Sequence, residues 1–275
     1  MMINKLKPKS EFSRNVLTLM TGTTVAQAIP IAVSPILTRI YTPEDFGVFA
    51  LFIAITAIFG SVVSGKYELA IMIPKKDEDA INIFVLGCII TCLISLILLI
   101  IIVLFNDFFT MILNNDEISS WLYFIPLAVL FSGLFNVLNY FNNRKKYYYD
   151  LRNATIIKSM VLAIVQLSIG FLRTGATGLI TGSIISNMFA NIKLFKNITK
   201  DKILIKKQMI ELAKKYKNFP KYNLPSTLAD AVVQQLPFLL IPKIFSLSIS
   251  GYFSLSQKLI SLPSSLIAKS ISQVY

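Results

Sequence analysis

The chain has 275 residues, 55% of them hydrophobic and 15% charged, with a mean hydropathy of +0.66. Ordinary soluble domains are about 45–50% apolar and about 25% charged, so a soluble globular domain, a disordered chain and a coiled coil are all excluded. The net charge of +13, with 27 Lys+Arg against 14 Asp+Glu, would point to nucleic acid in a soluble protein, but in a chain this apolar it is first tested against the Lys/Arg excess of cytoplasmic membrane loops.

A helix needs about 20 mostly apolar residues to cross a hydrocarbon core of about 30 Å. Eight stretches qualify: Asn15–Thr38, Phe46–Ile73, Ile81–Phe105, Trp121–Phe141, Ala154–Phe171, Ala176–Ile192, Ser226–Pro242 and Gly251–Val274. The third, ending ILLIIIVLF, is the plainest. The first and the last two are polar enough to escape a simple hydropathy window, a trait of helices that line a cavity or pack inside a bundle. The basic start (Lys5, Lys7, Lys9, Arg14) leads into a span too long and polar for a signal peptide, with no small-residue cleavage site, and so reads as a retained first helix.

With the amino end in the cytoplasm, twenty Lys/Arg fall in cytoplasmic segments and only Arg39, Arg173 and Lys243 on the other side. Lys66, Lys158, Lys258 and Lys269 lie within spans. That asymmetry accounts for the charge without nucleic acid. The outward loops are short, with no domain to house an active site. Ile205, Met209, Leu212 and Tyr216, spaced helically among the lysines of the 193–225 segment, predict an amphipathic helix lying on anionic lipid; capture of an acidic partner is the alternative.

Two segments repeat. Gln27 is followed by Pro30 and Pro35, and Gln234 by Pro237 and Pro242, at a constant offset of 207; Gly47-Val-Phe-Ala-Leu is then matched by Gly251-Tyr-Phe-Ser-Leu. Six spans separate the copies, so they have the same orientation, as in parallel-repeat transporters. Prolines inside spans mark the first and seventh helices as the bent elements. The expected fold is an all-α integral membrane protein, a polytopic helical bundle. One complete six-helix lobe occupies residues 1–192, a basic amphipathic cytoplasmic linker 193–225, and the first two helices of a second lobe 226–275. A full pair would run to roughly 410 residues, so the chain is expected to be C-terminally incomplete.

Several blocks resemble bacterial polysaccharide flippases, the O-antigen, capsule and related repeat-unit transporters of the multidrug/oligosaccharidyl-lipid/polysaccharide exporter superfamily. They are Arg39-Ile-Tyr-Thr-Pro-Glu-Asp-Phe-Gly-Val-Phe-Ala-Leu, Gly65-Lys-Tyr-Glu-Leu-Ala-Ile-Met-Ile-Pro74, Phe141-Asn-Asn-Arg-Lys-Lys-Tyr147, Phe219-Pro-Lys-Tyr-Asn-Leu-Pro225 and the stretch Gln257–Tyr275. The resemblance implies two six-helix lobes around a central cavity in the bacterial cytoplasmic membrane. Alternating access would carry a polyprenyl-diphosphate-linked oligosaccharide to the outer leaflet, coupled to a proton or sodium gradient, with no cofactor. Alternatives are a small-cation exporter of the same superfamily, a membrane-embedded polymerase or glycosyltransferase, and an inactive remnant. An enzyme would need acid/base residues in a sizeable loop, and none is visible.

Charges within spans cost roughly 2.5–3.5 kcal/mol each, so each needs a reason. Arg39 and Lys66 are the candidate diphosphate contacts, with interface anchoring and snorkelling as the structural alternatives. Glu68, two residues from Lys66, does not form a helical i,i+4 pair with it, so its partner is expected on another helix; it is also a candidate coupling-ion site. Asp230 is a second coupling candidate, although a place in the first turn of its helix would explain it through the helix dipole. Gln27, Gln234 and Gln235 are cavity candidates whose default role is interhelical hydrogen bonding. Gly178-Leu-Ile-Thr-Gly182 reads as close helix packing, and Asp77-Glu78-Asp79 beside Lys75 and Lys76 as a solvated turn. The absence of histidine removes His-based triads and His metal ligands, and Cys88 and Cys92, four apart, read as small core residues on one helix face. Asn197-Ile-Thr199 falls on the cytoplasmic side and is discounted as a glycosylation site.

Overall fold

The computed structural model describes residues 11–272, apart from 114, 116, 173–174, 197 and 199–207. Its long helices are α1 (Glu11–Ile40), α2 (Pro43–Gly60), α4 (Asp77–Leu113), α6 (Ile125–Arg144), α7 (Tyr148–Gly170), α8 (Thr177–Phe195), α10 (Leu224–Ile244) and α11 (Leu247–Ser272). Short helices α3 (Tyr67–Ala70), α5 (Glu117–Leu122) and α9 (Gln208–Lys215), with a π-helical turn at Phe219–Asn223, complete the path. The protein is thus an all-α polytopic membrane protein. Among the described residues six helices are long and apolar enough to cross a bilayer, including α1 and the continuous Phe219–Ile244 element. These two pass a hydropathy measure that they were expected to escape.

The α1–α2 corner shows how local sequence sets direction. Thr42 accepts a hydrogen bond from the Asp45 amide, the Asp45 carboxylate accepts one from the Thr42 amide, and Pro43 occupies the first turn, so α2 starts at a complete capping box. Tyr41, just before it, is buried and donates to the Gln166 carbonyl at 2.6 Å. Burial, with Asp45 adding to it, pushes its phenol up to about 12, so the hydroxyl remains a donor at any physiological pH. Gly178 packs on Tyr41 and Ile169, and Gly182 on Gln166, the close contact expected of that glycine pair.

Leu51, Phe52, Ile125, Val129 and Ile180 pack together around α2, while Ile71, Ile83, Phe84, Phe141 and Leu194 form a second core toward the lysine-rich end of the bundle. The outer face of α4 instead exposes Leu93, Leu96, Ile97, Val103 and Leu104, as a lipid-facing surface should. Cys92 is on that exposed face and Cys88 is half-buried, so the two are not core residues together.

The second expected span is not one helix. After Gly60 the chain turns through residues 61–66, with Gly65 and Lys66 both at positive φ (63° and 62°), before α3 restarts it. Val63, Ser64 and Gly65 are buried, and Gly60 and Gly133 lie against Ser132 and Val63 respectively. The amides of Ser61, Val62, Gly65 and Tyr67 donate to carbonyls three or four residues back, so these donors of the irregular segment are satisfied within it.

The amphipathic α9 also departs from the expectation of a helix lying only on lipid. Leu212 is buried in the core that holds Tyr67 and Ile71, and Tyr67 donates to the Ala213 carbonyl at 3.1 Å. Its apolar face thus docks on the bundle while Ile210, Lys214 and Lys215 stay exposed. Asp77 is not merely solvated: it pairs with Arg144 at 3.0 Å and Lys145 at 2.9 Å, and Arg144 also donates to the carbonyls of Ile71 and Pro74.

The sequence repeat reappears as a contact. α2 and α11 cross so closely that a Cβ on Gly47 would sit 2.2 Å from the Leu247 carbonyl oxygen, and one on Gly251 would sit 2.0 Å from that of Pro43. The Glu44 carboxylate accepts a hydrogen bond from Ser248. Positions 43, 44 and 47 differ from 247, 248 and 251 by the same 204 residues, so equivalent parts of the two repeats meet around a local two-fold relation.

Candidate functional site

Three helices bring unusually polar faces together. On α6, Asn136, Asn139 and Asn143 are spaced three and four apart and share one face; on α7, Thr155, Lys158 and Ser159 do the same. With Thr23 and Gln27 from α1 and Lys258 from α11, they line a cavity of about 590 Å³. Pro30 adds to its polarity. Having no amide hydrogen, it cannot serve the carbonyl of Ala26 one turn earlier, and both residues line the wall.

Two ammonium groups dominate the chemistry. Lys158 lies over the Phe135 ring at 4.7 Å, an aromatic support that keeps a cation at depth. Lys258 reaches the same wall from α11. No carboxylate belongs to the lining among the described residues. Asparagine amides offer both donors and acceptors, so the wall can bind an anion and neutral hydroxyl-rich groups together.

A second polar centre sits in the broken span. Glu68 is 3% exposed; Ser64 donates to its carboxylate, and Lys66 lies 3.8 Å from it. The expected partner on another helix is thus replaced by a neighbour two residues away. The left-handed backbone at Lys66 folds its side chain back, which a regular helix would not allow.

Of the residues expected at the site, Gln27 lines the cavity. Lys66 and Glu68 form the neighbouring buried pair outside its lining. Arg39 is exposed in the last turn of α1, at the far end of the bundle. On α10 Gln234 is exposed and Gln235 half-buried. Asp230 is exposed in the second turn of α10, because the helix begins at Leu224, so a first-turn dipole role does not apply. Lys158 and Lys258 stood out in the sequence only as charges within spans, not as site residues, and the asparagine row did not stand out at all. Their signal was there, in the helical spacing of three asparagines on one span and of Thr155, Lys158 and Ser159 on the next.

A family model described as polysaccharide biosynthesis protein matches residues 36–275. No curated protein matches. Among solved structures, the chain is similar to the MATE multidrug transporter DinF-BH (TM-score 0.70, 13% identity), covering 99% of this chain and 64% of that one. It is similar also to a chain described only as "protein A" (TM-score 0.69, 14% identity), with the same coverage of both. The chain thus spans about two-thirds of the length of these structures, and the likeness is one of fold. With the family model spanning nearly all of it, the chain belongs to the polysaccharide biosynthesis protein family.

Proposed function

We propose that this member of the family is a transporter rather than an enzyme, and that it flips a polyprenyl-diphosphate-linked oligosaccharide across the bacterial cytoplasmic membrane for surface-polysaccharide assembly. The observation that carries this reading is the cavity that pairs Lys158 and Lys258 with the Asn136, Asn139 and Asn143 face. A diphosphate withdrawn from water needs cationic partners, and a sugar needs mixed donors and acceptors; this wall supplies both.

The remaining features fit alternating access. The two lysines come from α7 and α11, one in each repeat, so a bound diphosphate would draw the repeats together across the cavity. The α2–α11 contact at Gly47 and Gly251 holds them together at the other end. The Lys66–Glu68 pair is suited to a coupling role, in which a proton or sodium ion at Glu68 would release Lys66. The excess of lysines at the α9 end supports a cytoplasmic position for that end, by the positive-inside rule. Export of a small cation, the alternative within the same superfamily, fits less well with a lining that carries two lysines and, among the described residues, no carboxylate.

The test is flipping of a fluorescent polyprenyl-diphosphate oligosaccharide in liposomes by a two-lobe protein in which this chain supplies the first eight spans. Wild-type protein is expected to flip it, and Lys158→Gln and Lys258→Gln to lower the rate at least tenfold at equal incorporation. Normal flipping by both variants, or defects that track loss of protein, would overturn the assignment. Impermeant labelling of Lys75→Cys, an exposed residue of the lysine-rich end, checks orientation: reaction from outside intact cells would reverse it.

A further inference from the structure

The docked helix α9 leaves a groove unfilled where it meets α4. A cavity of about 330 Å³ lies between Met209, Ile210 and Ala213 on one side and Leu86 and Tyr67 on the other. Lys214 and Lys217, three residues apart and both exposed, complete its lining. Among the described residues neither ammonium pairs with a carboxylate, and no acidic side chain belongs to the lining. Glu211, one turn before Lys214, is exposed outside it. The groove is thus apolar on its walls and cationic on one side.

The length of α4 sets the depth of this groove. Its 37 residues span about 55 Å, well beyond a hydrocarbon core of about 30 Å. Centring the core on the helix puts the boundary about eight residues from Asp77, beside Leu86. From Leu86 an exposed apolar stripe continues along α4 through Ile89, Leu93, Leu96 and Ile100, three or four residues apart and so on one face. Free ammonium groups, an apolar groove at the membrane boundary and an apolar track into the bilayer therefore lie in succession.

We propose that this groove seats one anionic phospholipid, its phosphate held between Lys214 and Lys217 and an acyl chain running from Leu86 down the α4 stripe. Charge selects the occupant. A zwitterionic lipid would bring its own cation to the same two ammonium groups, whereas an anionic headgroup answers them. The site is more than a basic helix resting on the bilayer, because α9 is already fixed to the bundle by buried Leu212 and by the Tyr67 hydroxyl on the Ala213 carbonyl. Tyr67 stands between Lys66 and Glu68 in sequence, so a lipid that holds α9 in place also steadies the interrupted span. The groove shares no lining residue with the cavity assigned to transport, and its occupancy does not depend on that assignment.

The probes are dioleoyl-phosphatidylglycerol and dioleoyl-phosphatidylcholine, which have the same acyl chains, titrated against the detergent-purified two-lobe protein by native mass spectrometry. The anionic lipid is expected to bind at least tenfold more tightly. Lys214→Gln/Lys217→Gln should remove most of that preference. Lys215→Gln/Lys221→Gln takes the same charge from exposed residues outside the groove and should change it less than about twofold. Leu86→Trp fills the groove without altering charge and should weaken the anionic lipid at least tenfold; Met209→Trp makes the same test from α9 should Leu86→Trp fail to fold. Equal binding of the two lipids would overturn the proposal. So would equal losses from the two lysine pairs, which would mark diffuse attraction to the surface. Undiminished binding by a folded groove-filling variant would overturn it too, since the lysines would then read charge alone, as in capture of an acidic protein segment.

Discussion

The first two spans treat helix-breaking residues in opposite ways. α1 carries Pro30 and Pro35 and remains a single helix from Glu11 to Ile40. The following span contains no proline between Phe46 and Ile73, yet stops at Gly60 and restarts at Tyr67. Proline removes one donor and leaves one carbonyl to be satisfied, which a polar cavity at Ala26 can do. Ending a helix inside a bundle frees several groups at once, and here the turns among residues 61–67 take up the amides of Ser61, Val62, Gly65 and Tyr67. Where a membrane helix breaks is thus decided by where its backbone can be satisfied, not by where its weakest helix formers lie.

The strongest way to break this comparison is to strip the broken segment of its ion pair. Glu68→Ala would leave Lys66, whose side chain is 14% exposed, without its counter-charge, and is expected to cost about 3 kcal/mol or more, read as a fall in melting temperature of the purified protein. The double substitution Lys66→Met/Glu68→Met should recover most of that loss. If Glu68→Ala melts like the wild type, the pair does not support the break. Next in size is the crossing of the repeats. Gly47→Val or Gly251→Val drives a side chain into a backbone carbonyl and should cost about 1–3 kcal/mol, while Glu44→Cys with Ser248→Cys should form a disulfide readily. Failure to cross-link would show that α2 and α11 do not meet there.

Pro30→Ala sharpens the contrast from the other side. Alanine is the better helix former by up to about 3 kcal/mol, so the substitution should not lower stability, yet should slow transport if the Ala26 carbonyl serves the cavity. A large loss of stability would mean that the proline shapes the fold. The smallest effect is expected at Lys75→Ala and Lys76→Ala, exposed residues just before α4, at no more than about 0.5 kcal/mol.

Membrane character, the all-α class and the repeat follow from composition, from apolar runs of spanning length, and from the matched Gln-Pro-Pro and Gly-x-Phe-x-Leu patterns. These are properties of local sequence, because a bilayer imposes the same length and backbone demands on every segment that crosses it. The site was less legible. Gln27 could be found because a polar residue beside prolines is conspicuous in a span. Lys158 and Lys258 could not be joined, since nothing local relates residues one hundred positions apart on different repeats. The Lys66–Glu68 pair was excluded by helical geometry, and only the left-handed backbone at Lys66 makes it possible. The sequence by itself determined that this is an all-α membrane protein and showed the motif match at an offset of 207, because composition, apolar runs and motif spacing are local properties. The tertiary structure decided which polar faces meet and where a span is interrupted, because both depend on what the neighbouring helices offer in place of water.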